Sequence, residues 1–177
     1  EVLIQRPVYY PFADSIQQQK RVVVNSPLQL RDGRYEIDFA DFERKAASPR
    51  CRAFVLSNPH NPVGRVYTEE ELRRVGEICR RHHVFVIADE IHSDLIFPGH
   101  QHIVFASLGQ NYAENCAVCH APSKTFNLAG LSFSCIMIPN EERRKRFDQM
   151  FARYCRAHPN FFAPVAAKAA WDHGEAW

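Results

Sequence analysis

Short apolar runs alternate along this chain with stretches in which hydrophobic residues recur at helical spacing. The apolar runs predict strands at residues 2–4, 21–25, 53–56, 84–88, 117–119 and 134–138. The helical spacing predicts helices at residues 11–19, 39–47, 69–82, 141–153 and 164–171. The run at 84–88 is apolar at every position, which is typical of a strand buried on both faces of a parallel sheet.

Start signals for helices support this division. Thr68 and Glu71 have the spacing of a capping box, in which each side chain satisfies a free backbone amide of the first turn. Asp38 is a suitable N-cap for the second helix, and Pro11 fits the first turn of the first helix. Strands that alternate with helices predict an α/β domain with a mostly parallel sheet and helices on both of its faces.

Polar segments follow three of the predicted strands, at residues 58–64, 89–92 and 123–124. In parallel sheets, ligands bind beyond the carboxyl ends of the strands. The sequence therefore predicts a site at this edge of the sheet.

Composition narrows the class of protein. The chain has 177 residues, 46% of them hydrophobic and 24% charged, which suits one globular domain with a sizeable core. The formal net charge is +2, from 22 basic and 20 acidic residues spread along the chain, so the sequence does not indicate a nucleic-acid partner. No apolar stretch approaches the length of a membrane span.

Six cysteines fall mostly within predicted strands and helices, where cysteine behaves as a small hydrophobic residue. We interpret them as reduced thiols of a cytoplasmic protein. The segment from Cys116 through Cys119 to His120 also matches the pattern for covalent haem attachment or a redox dithiol, although it lies within a strand pattern.

Lys124 and Asp89 have the chemistry of a pyridoxal phosphate (PLP) site. A lysine in a small-residue loop after a strand can form a Schiff base with the cofactor's aldehyde. A carboxylate at the end of a parallel strand can pair with the protonated pyridine nitrogen. The alternatives are a solvated loop lysine and an aspartate that caps a helix.

Three motifs in series resemble the fold type I PLP enzymes of the aminotransferase class I/II superfamily. They are Asn-Pro-His-Asn-Pro-Val-Gly at 58–64, Asp-Glu-Ile-His at 89–92 and Ser-Lys at 123–124. Their finer details are most similar to the cystathionine β-lyase branch, the MalY/PatB-type C–S lyases. The resemblance covers essentially the whole chain and implies a three-layer α/β/α large domain with a mostly parallel sheet, here as a partial chain.

The resemblance also implies roles for individual residues. Lys124 would bind PLP and accept the substrate's Cα proton, and Asp89 would hold the pyridine nitrogen. Asn61 would donate to the cofactor's phenolic oxygen, near which His92 stands where many aminotransferases carry tyrosine. The alternatives are a turn residue for Asn61 and a packing or indirect role for His92.

Three further residues are expected to surround the cofactor. Ile91 would press on one face of the ring and Tyr9 would stack on the other, although Tyr10 is a near neighbour of Tyr9. Ser123 would bind the phosphate through its hydroxyl and backbone amide.

One departure distinguishes the candidate activities. Many aminotransferases of the superfamily carry an arginine about eight residues after the lysine, where this chain has Ser132. We therefore expect a C–S β-lyase that acts on cystathionine, cysteine or a cysteine S-conjugate and releases a thiol, pyruvate and ammonia. A class I/II aminotransferase, or a non-catalytic PLP-fold fragment or regulatory partner, is the alternative.

The same resemblance sets the expected organisation. Residues 1–157 would be the central part of the large PLP-binding domain, and residues 158–177 an interface loop and the start of a helix leading to a small domain. We expect a longer protein that forms a homodimer, and a loop around residues 158–162 that reaches the dimer interface. His100 and His102 are close enough in sequence to suggest a metal site, but without a third ligand nearby we expect surface residues.

Overall fold

The computed structural model describes residues 1–155 and 160–177. In these two ranges, eight strands lie in two sheets: β1 (Val2–Ile4), β2 (Val23–Asn25), β3 (Gln29–Arg31), β4 (Arg34–Glu36), β5 (Ala53–Ser57), β6 (Phe85–Asp89), β7 (Cys116–His120) and β8 (Cys135–Met137). The α-helices within these residues are α1 (Pro11–Gln18), α2 (Phe39–Ala46), α3 (Glu69–Arg81), α4 (Gln110–Ala113), α5 (Glu141–Tyr154) and α6 (Ala163–His173). The boundary that we predict between residues 157 and 158 falls outside the described residues.

The main sheet has the strand order β2-β1-β5-β6-β7-β8. Every neighbouring pair is parallel except β7 and β8, which are antiparallel. The prediction of a mostly parallel sheet is confirmed. Because β5, β6 and β7 are parallel neighbours, their carboxyl ends lie at one edge of the sheet, as the sequence predicts.

Helices cover both faces of the sheet and form a separate core on each. On one face, α2 and α3 contribute Phe42 and Val75 to a large cluster that also contains Phe54 of β5. On the other face, Ala13 and Ile16 of α1 pack against Ile4 and Val55. The molecule therefore has the three layers α/β/α that the resemblance implies.

The capping box predicted at the start of α3 is confirmed. The hydroxyl of Thr68 accepts a hydrogen bond from the Glu71 amide at 3.2 Å, and the Glu71 carboxylate accepts one from the Thr68 amide at 2.8 Å. Caps of this kind each stabilise a helix by about 1 kcal/mol. They hold α3 directly behind the loop that follows β5.

None of the helices in the described parts of the chain has both the length and the apolar character needed to cross a bilayer.

Candidate active site

The three strands that carry the candidate residues end at the same level. Ser57, Asp89 and Cys119 are register partners across β5, β6 and β7. Beyond the strands, the Asn58 amide donates to the Asp89 carbonyl at 3.0 Å, and the Glu90 amide donates to the Cys119 carbonyl at 2.9 Å. The starts of the first two polar segments are therefore held in place by the backbone of the neighbouring strand.

Asp89 is a half-buried carboxylate with few partners. Its Oδ1 accepts a hydrogen bond from the Ile91 amide at 3.3 Å. Burial raises the pKa of Asp89, and the Ile91 amide and the His92 imidazole offset part of that rise. Within residues 1–155 and 160–177, no lysine or arginine forms an ion pair with Asp89, so the carboxylate remains available to a cationic ligand.

His92 links the chemistry of Asp89 to that of Lys124. Burial lowers the pKa of His92, the Asp89 charge opposes that shift, and the Lys124 ammonium adds to it. Both charges therefore act on one imidazole. Asp89 ends β6, and Lys124 lies in the loop after the adjacent parallel strand β7, so both follow strands that end at the same edge of the sheet. Lys124 itself is exposed to solvent.

Asn61 lies in a tight turn after β5. Its amide donates to the hydroxyl of buried Ser57 at 3.3 Å, and the Gly64 amide donates to the His60 carbonyl at 2.8 Å. Gly64 has φ +68°, a conformation that residues with a side chain rarely adopt, which explains the glycine at the end of this motif. The turn leaves the side chain of Asn61 half-buried.

The side chain of His60 is buried between two segments that belong to the same edge. Its Nε2 donates to the Pro7 carbonyl at 2.9 Å, and its Nδ1 accepts from the Tyr67 hydroxyl at 2.9 Å. Burial lowers the pKa of His60 to about 4, so the ring is neutral at physiological pH. In the sequence, His60 was noted only as a detail of the motif. Its hydrogen bond with Tyr67 could not be predicted from the sequence.

A cavity of about 720 Å³ lies beside this edge. Asn61 and His92 are among its lining residues, and Asp89 and Lys124 are not. Arg34, Arg65 and His100 give its wall a basic character, and Leu95 and Phe97 give it apolar area.

The remaining candidates lie at the same edge with less defined contacts. Ile91 and Ser123 are half-buried, and the Ser123 carbonyl accepts a hydrogen bond from the Leu128 amide at 3.1 Å, which tightens the loop around Lys124. Tyr9 follows β1; the residue is 45% exposed, and its ring packs edge-on against Phe12. The stacking role of Tyr9 therefore stays a prediction, as do the roles of Ile91 and Ser123.

Our expectation that His102 is a surface residue is wrong. Its Nε2 donates to Glu90 Oε2 at 2.9 Å, and the two side chains are only 8% and 3% exposed. The other oxygen of Glu90 accepts the Phe105 amide at 2.8 Å. Glu90 thus anchors the segment that returns from the site, and sequence reasoning missed it because the partner is brought close only by the fold. His100 is exposed, as expected.

Three of the cysteines, Cys51, Cys79 and Cys116, are buried packing residues, and Cys155 is exposed. All six lie in the described parts of the chain and are free thiols. Burial raises the pKa of Cys116 to about 12 and that of Cys119 to about 11. The two are three positions apart in β7, so they point to opposite faces of the sheet and do not form a dithiol pair. The described residues contain no group of three or more histidine, cysteine or acidic side chains arranged to hold a metal.

This arrangement suits a heterocyclic cation bearing an electrophilic group. Asp89 offers an unpaired, half-buried carboxylate, and Lys124 offers an accessible primary amine on the next strand's loop. The donor set is chemically that of a PLP site.

Comparisons with known proteins agree with this chemistry. The chain is 44% identical to cystathionine β-lyase PatB of Bacillus subtilis strain 168, over 100% of this chain and 46% of that protein. Its fold superposes with a TM-score of 0.96 on cystalysin from Treponema denticola, which contains a PLP cofactor; that chain is 36% identical, over 99% of this chain and 45% of cystalysin. The PLP-bound C–S lyase from Staphylococcus hominis gives a TM-score of 0.92 and 38% identity, over 100% of this chain and 44% of that one.

The chain thus spans less than half the length of each of these relatives. The family model for "Aminotransferase class I and II" matches residues 1–175. We conclude that this chain belongs to the aminotransferase class I and II family.

Proposed function

We propose that the whole protein is a PLP-dependent carbon–sulfur β-lyase that releases a thiol, pyruvate and ammonia from a sulfur amino acid. One observation carries the proposal: an exposed amine, Lys124, and a half-buried carboxylate, Asp89, follow two adjacent parallel strands at the carboxyl edge of the sheet. The reaction class is supported by the similarity to a cystathionine β-lyase, to a PLP-containing cystalysin and to a PLP-bound C–S lyase.

The residues present fit the cofactor. Asp89 would pair with the protonated pyridine nitrogen. Burial disfavours the charged form of this carboxylate, so a cationic partner would stabilise it strongly. Asn61 and His92 would face the phenolic oxygen, and Ser123 would bind the phosphate. Ile91 and Tyr9 would enclose the ring from its two faces.

When bound, PLP supplies an electron sink for the negative charge that develops at the substrate's Cα. Lys124 has two tasks in this scheme. Its Nζ would hold the cofactor, and after exchange with the substrate amine the freed Nζ would accept the proton from Cα. The Asp89 carboxylate would keep the pyridine nitrogen protonated throughout. The bond between Cβ and sulfur then breaks, the thiolate leaves, and the remaining amino acid skeleton is hydrolysed to pyruvate and ammonia.

The organisation and setting of the protein belong to the same proposal. Residues 1–157 form the central part of the large domain, and residues 158–177 form an interface loop and the start of a connecting helix. Phe161 and Phe162 are 86% and 71% exposed, which supports a dimer interface at this loop, although its first two residues lie outside the described parts. Six free cysteines support a cytoplasmic location for the protein. The exposed phenylalanines support its assembly as a homodimer.

The test is an assay of the full-length protein purified with PLP. We expect pyruvate to be released from cystathionine in the absence of any keto-acid acceptor. Cysteine and an S-alkyl cysteine are assayed in parallel, and the rates with the three substrates show which leaving group the enzyme prefers. A protein that binds PLP but releases no pyruvate from any of the three contradicts the lyase proposal.

The second candidate is a class I/II aminotransferase, favoured by the description of the family itself. An aminotransferase converts PLP to its amine form and needs a keto acid to regenerate it. Ser132, in place of an arginine after the lysine, weighs against this candidate. Amino transfer to a keto acid without pyruvate formation from cystathionine would establish it.

A further inference from the structure

His60 connects the two loops that carry Tyr9 and Asn61. Pro7, whose carbonyl accepts the hydrogen bond from His60 Nε2, lies two residues before Tyr9, and His60 directly precedes Asn61. These loops follow β1 and β5, which are parallel neighbours in the sheet. The imidazole therefore connects two segments that the proposed function assigns to different parts of one ligand: Tyr9 to a face of the ring and Asn61 to its phenolic oxygen.

The tautomer of His60 follows from its partners. A backbone carbonyl only accepts hydrogen bonds, so Nε2 carries the proton that is donated to Pro7. Nδ1 is then the acceptor and receives the proton of the Tyr67 hydroxyl. Both nitrogens are satisfied with the ring neutral, and the low pKa of His60 agrees with this state.

Tyr67 is itself fixed on three sides. Its amide donates to Asn58 Oδ1 at 3.1 Å, its ring is 1% exposed, and the Arg65 guanidinium lies 4.6 Å from the ring centre. Arg65 is held by a two-fold contact to Glu71 at 2.7 Å and 2.6 Å, which joins it to the start of α3. The hydroxyl of Tyr67 is thus a rigid point from which His60 is aimed at Pro7.

We infer that His60 and Tyr67 are positioning residues that set the separation of the Tyr9 loop from the Asn61 loop, and so shape the cofactor site without touching the cofactor. This inference rests on the proposed function, since it concerns binding of PLP. Sheet pairing does not set this separation, because β1 ends at Ile4 and Pro7 lies beyond it.

The test measures the PLP dissociation constant of full-length apoprotein by absorbance titration, and the free energy of unfolding of the same apoprotein by urea. Tyr67→Phe removes only the hydroxyl and should raise the dissociation constant at least fivefold. His60→Leu removes both hydrogen bonds and should raise it at least twentyfold. His60→Gln retains a donor near the position of Nε2 and should recover much of the loss.

Two comparisons separate positioning from general destabilisation. Val75→Ala creates a cavity in the core under α3, away from this edge, and should lower the unfolding free energy while leaving the PLP dissociation constant within twofold. The double variant His60→Leu/Tyr67→Phe should bind PLP no more weakly than His60→Leu alone, because the hydroxyl acts only through the imidazole. The visible circular dichroism of the bound cofactor should change in Tyr67→Phe and not in Val75→Ala.

The outcomes distinguish a failure of the positioning role from a failure of PLP binding itself. If wild-type protein binds PLP and Tyr67→Phe binds it within twofold with an unchanged spectrum, the positioning inference is overturned and the proposed function stands. Should His60→Leu fail to fold, Tyr67→Phe still decides. A wild-type protein that binds no PLP overturns both.

Discussion

The backbone amide of Asn58 donates a hydrogen bond to the carbonyl oxygen of Asp89 over 3.0 Å, immediately past the last register pair of β5 and β6. The side chain of Asn58 is fully buried, and its Oδ1 accepts the Tyr67 amide. Asn58 is therefore committed to the framework, and Asn61 is the amide that remains available at the site. Asp89 is held at the strand end with its carboxylate free for a ligand.

Asp89→Asn should leave a full-length protein that binds PLP and turns over far more slowly. The pyridine nitrogen would lose its counter-charge, and a loss of about 2.7 kcal/mol in barrier lowering corresponds to roughly a hundredfold in rate. Steady-state pyruvate release from cystathionine measures this change. Asp14→Asn, on the exposed side of α1, is the matched control and should retain wild-type turnover. Wild-type turnover in Asp89→Asn would remove Asp89 from the mechanism.

Stability should fall as the pH drops from about 6.5 to 4, because His60 has a folded pKa of about 4 and an ordinary unfolded one. In that window the unfolded chain binds a proton that the folded chain excludes, so the unfolding free energy rises with pH. The slope from this residue is about 1.4 kcal/mol per pH unit. Urea unfolding at several pH values measures it.

His60→Gln supplies the control for that slope. Glutamine does not titrate, so the difference between wild type and variant isolates His60 from the carboxylates that also lose stability in acid, such as Glu71. Parallel curves for the two proteins between pH 6.5 and 4 would show that the imidazole is not buried in its neutral form.

His102→Leu should destabilise the protein by about 2 kcal/mol or more, because the buried Glu90 carboxylate loses the imidazole donor and keeps only the Phe105 backbone amide. His100→Ala is the matched control, since His100 is exposed and two residues away, and it should change the unfolding free energy by less than about 0.5 kcal/mol. Equal effects of the two substitutions would contradict the buried contact.

Most of the framework could be predicted because its signals are local. The capping box at Thr68 and the apolar run that forms β6 are each determined by a few consecutive residues. Both were predicted from the sequence. The β3–β4 hairpin was missed because its strands are largely polar and lack the alternation of a buried face. The Asp-Gly pair at its turn is a sequence signal for a hairpin. In the structure, Asp32 and Gly33 both have the positive φ that this kind of turn requires.

The positions of the candidate residues in the fold were predicted, but the contacts that support them were not. The resemblance identified Lys124 and Asp89, and the parallel order of the strands brought their loops to one edge. The partners of His60 and Glu90 depend on where separate loops meet, which neither spacing nor periodicity encodes. Those contacts became visible only with the fold.

The most direct test of the central claim is to reduce the full-length PLP-loaded protein with borohydride and map the modified lysine by mass spectrometry. We predict a pyridoxyl adduct on Lys124, which Lys124→Ala abolishes. Lys168→Ala, which replaces an exposed lysine of α6, should leave the adduct intact. An adduct on Lys168 or any other lysine, with Lys124 unmodified, would contradict the account.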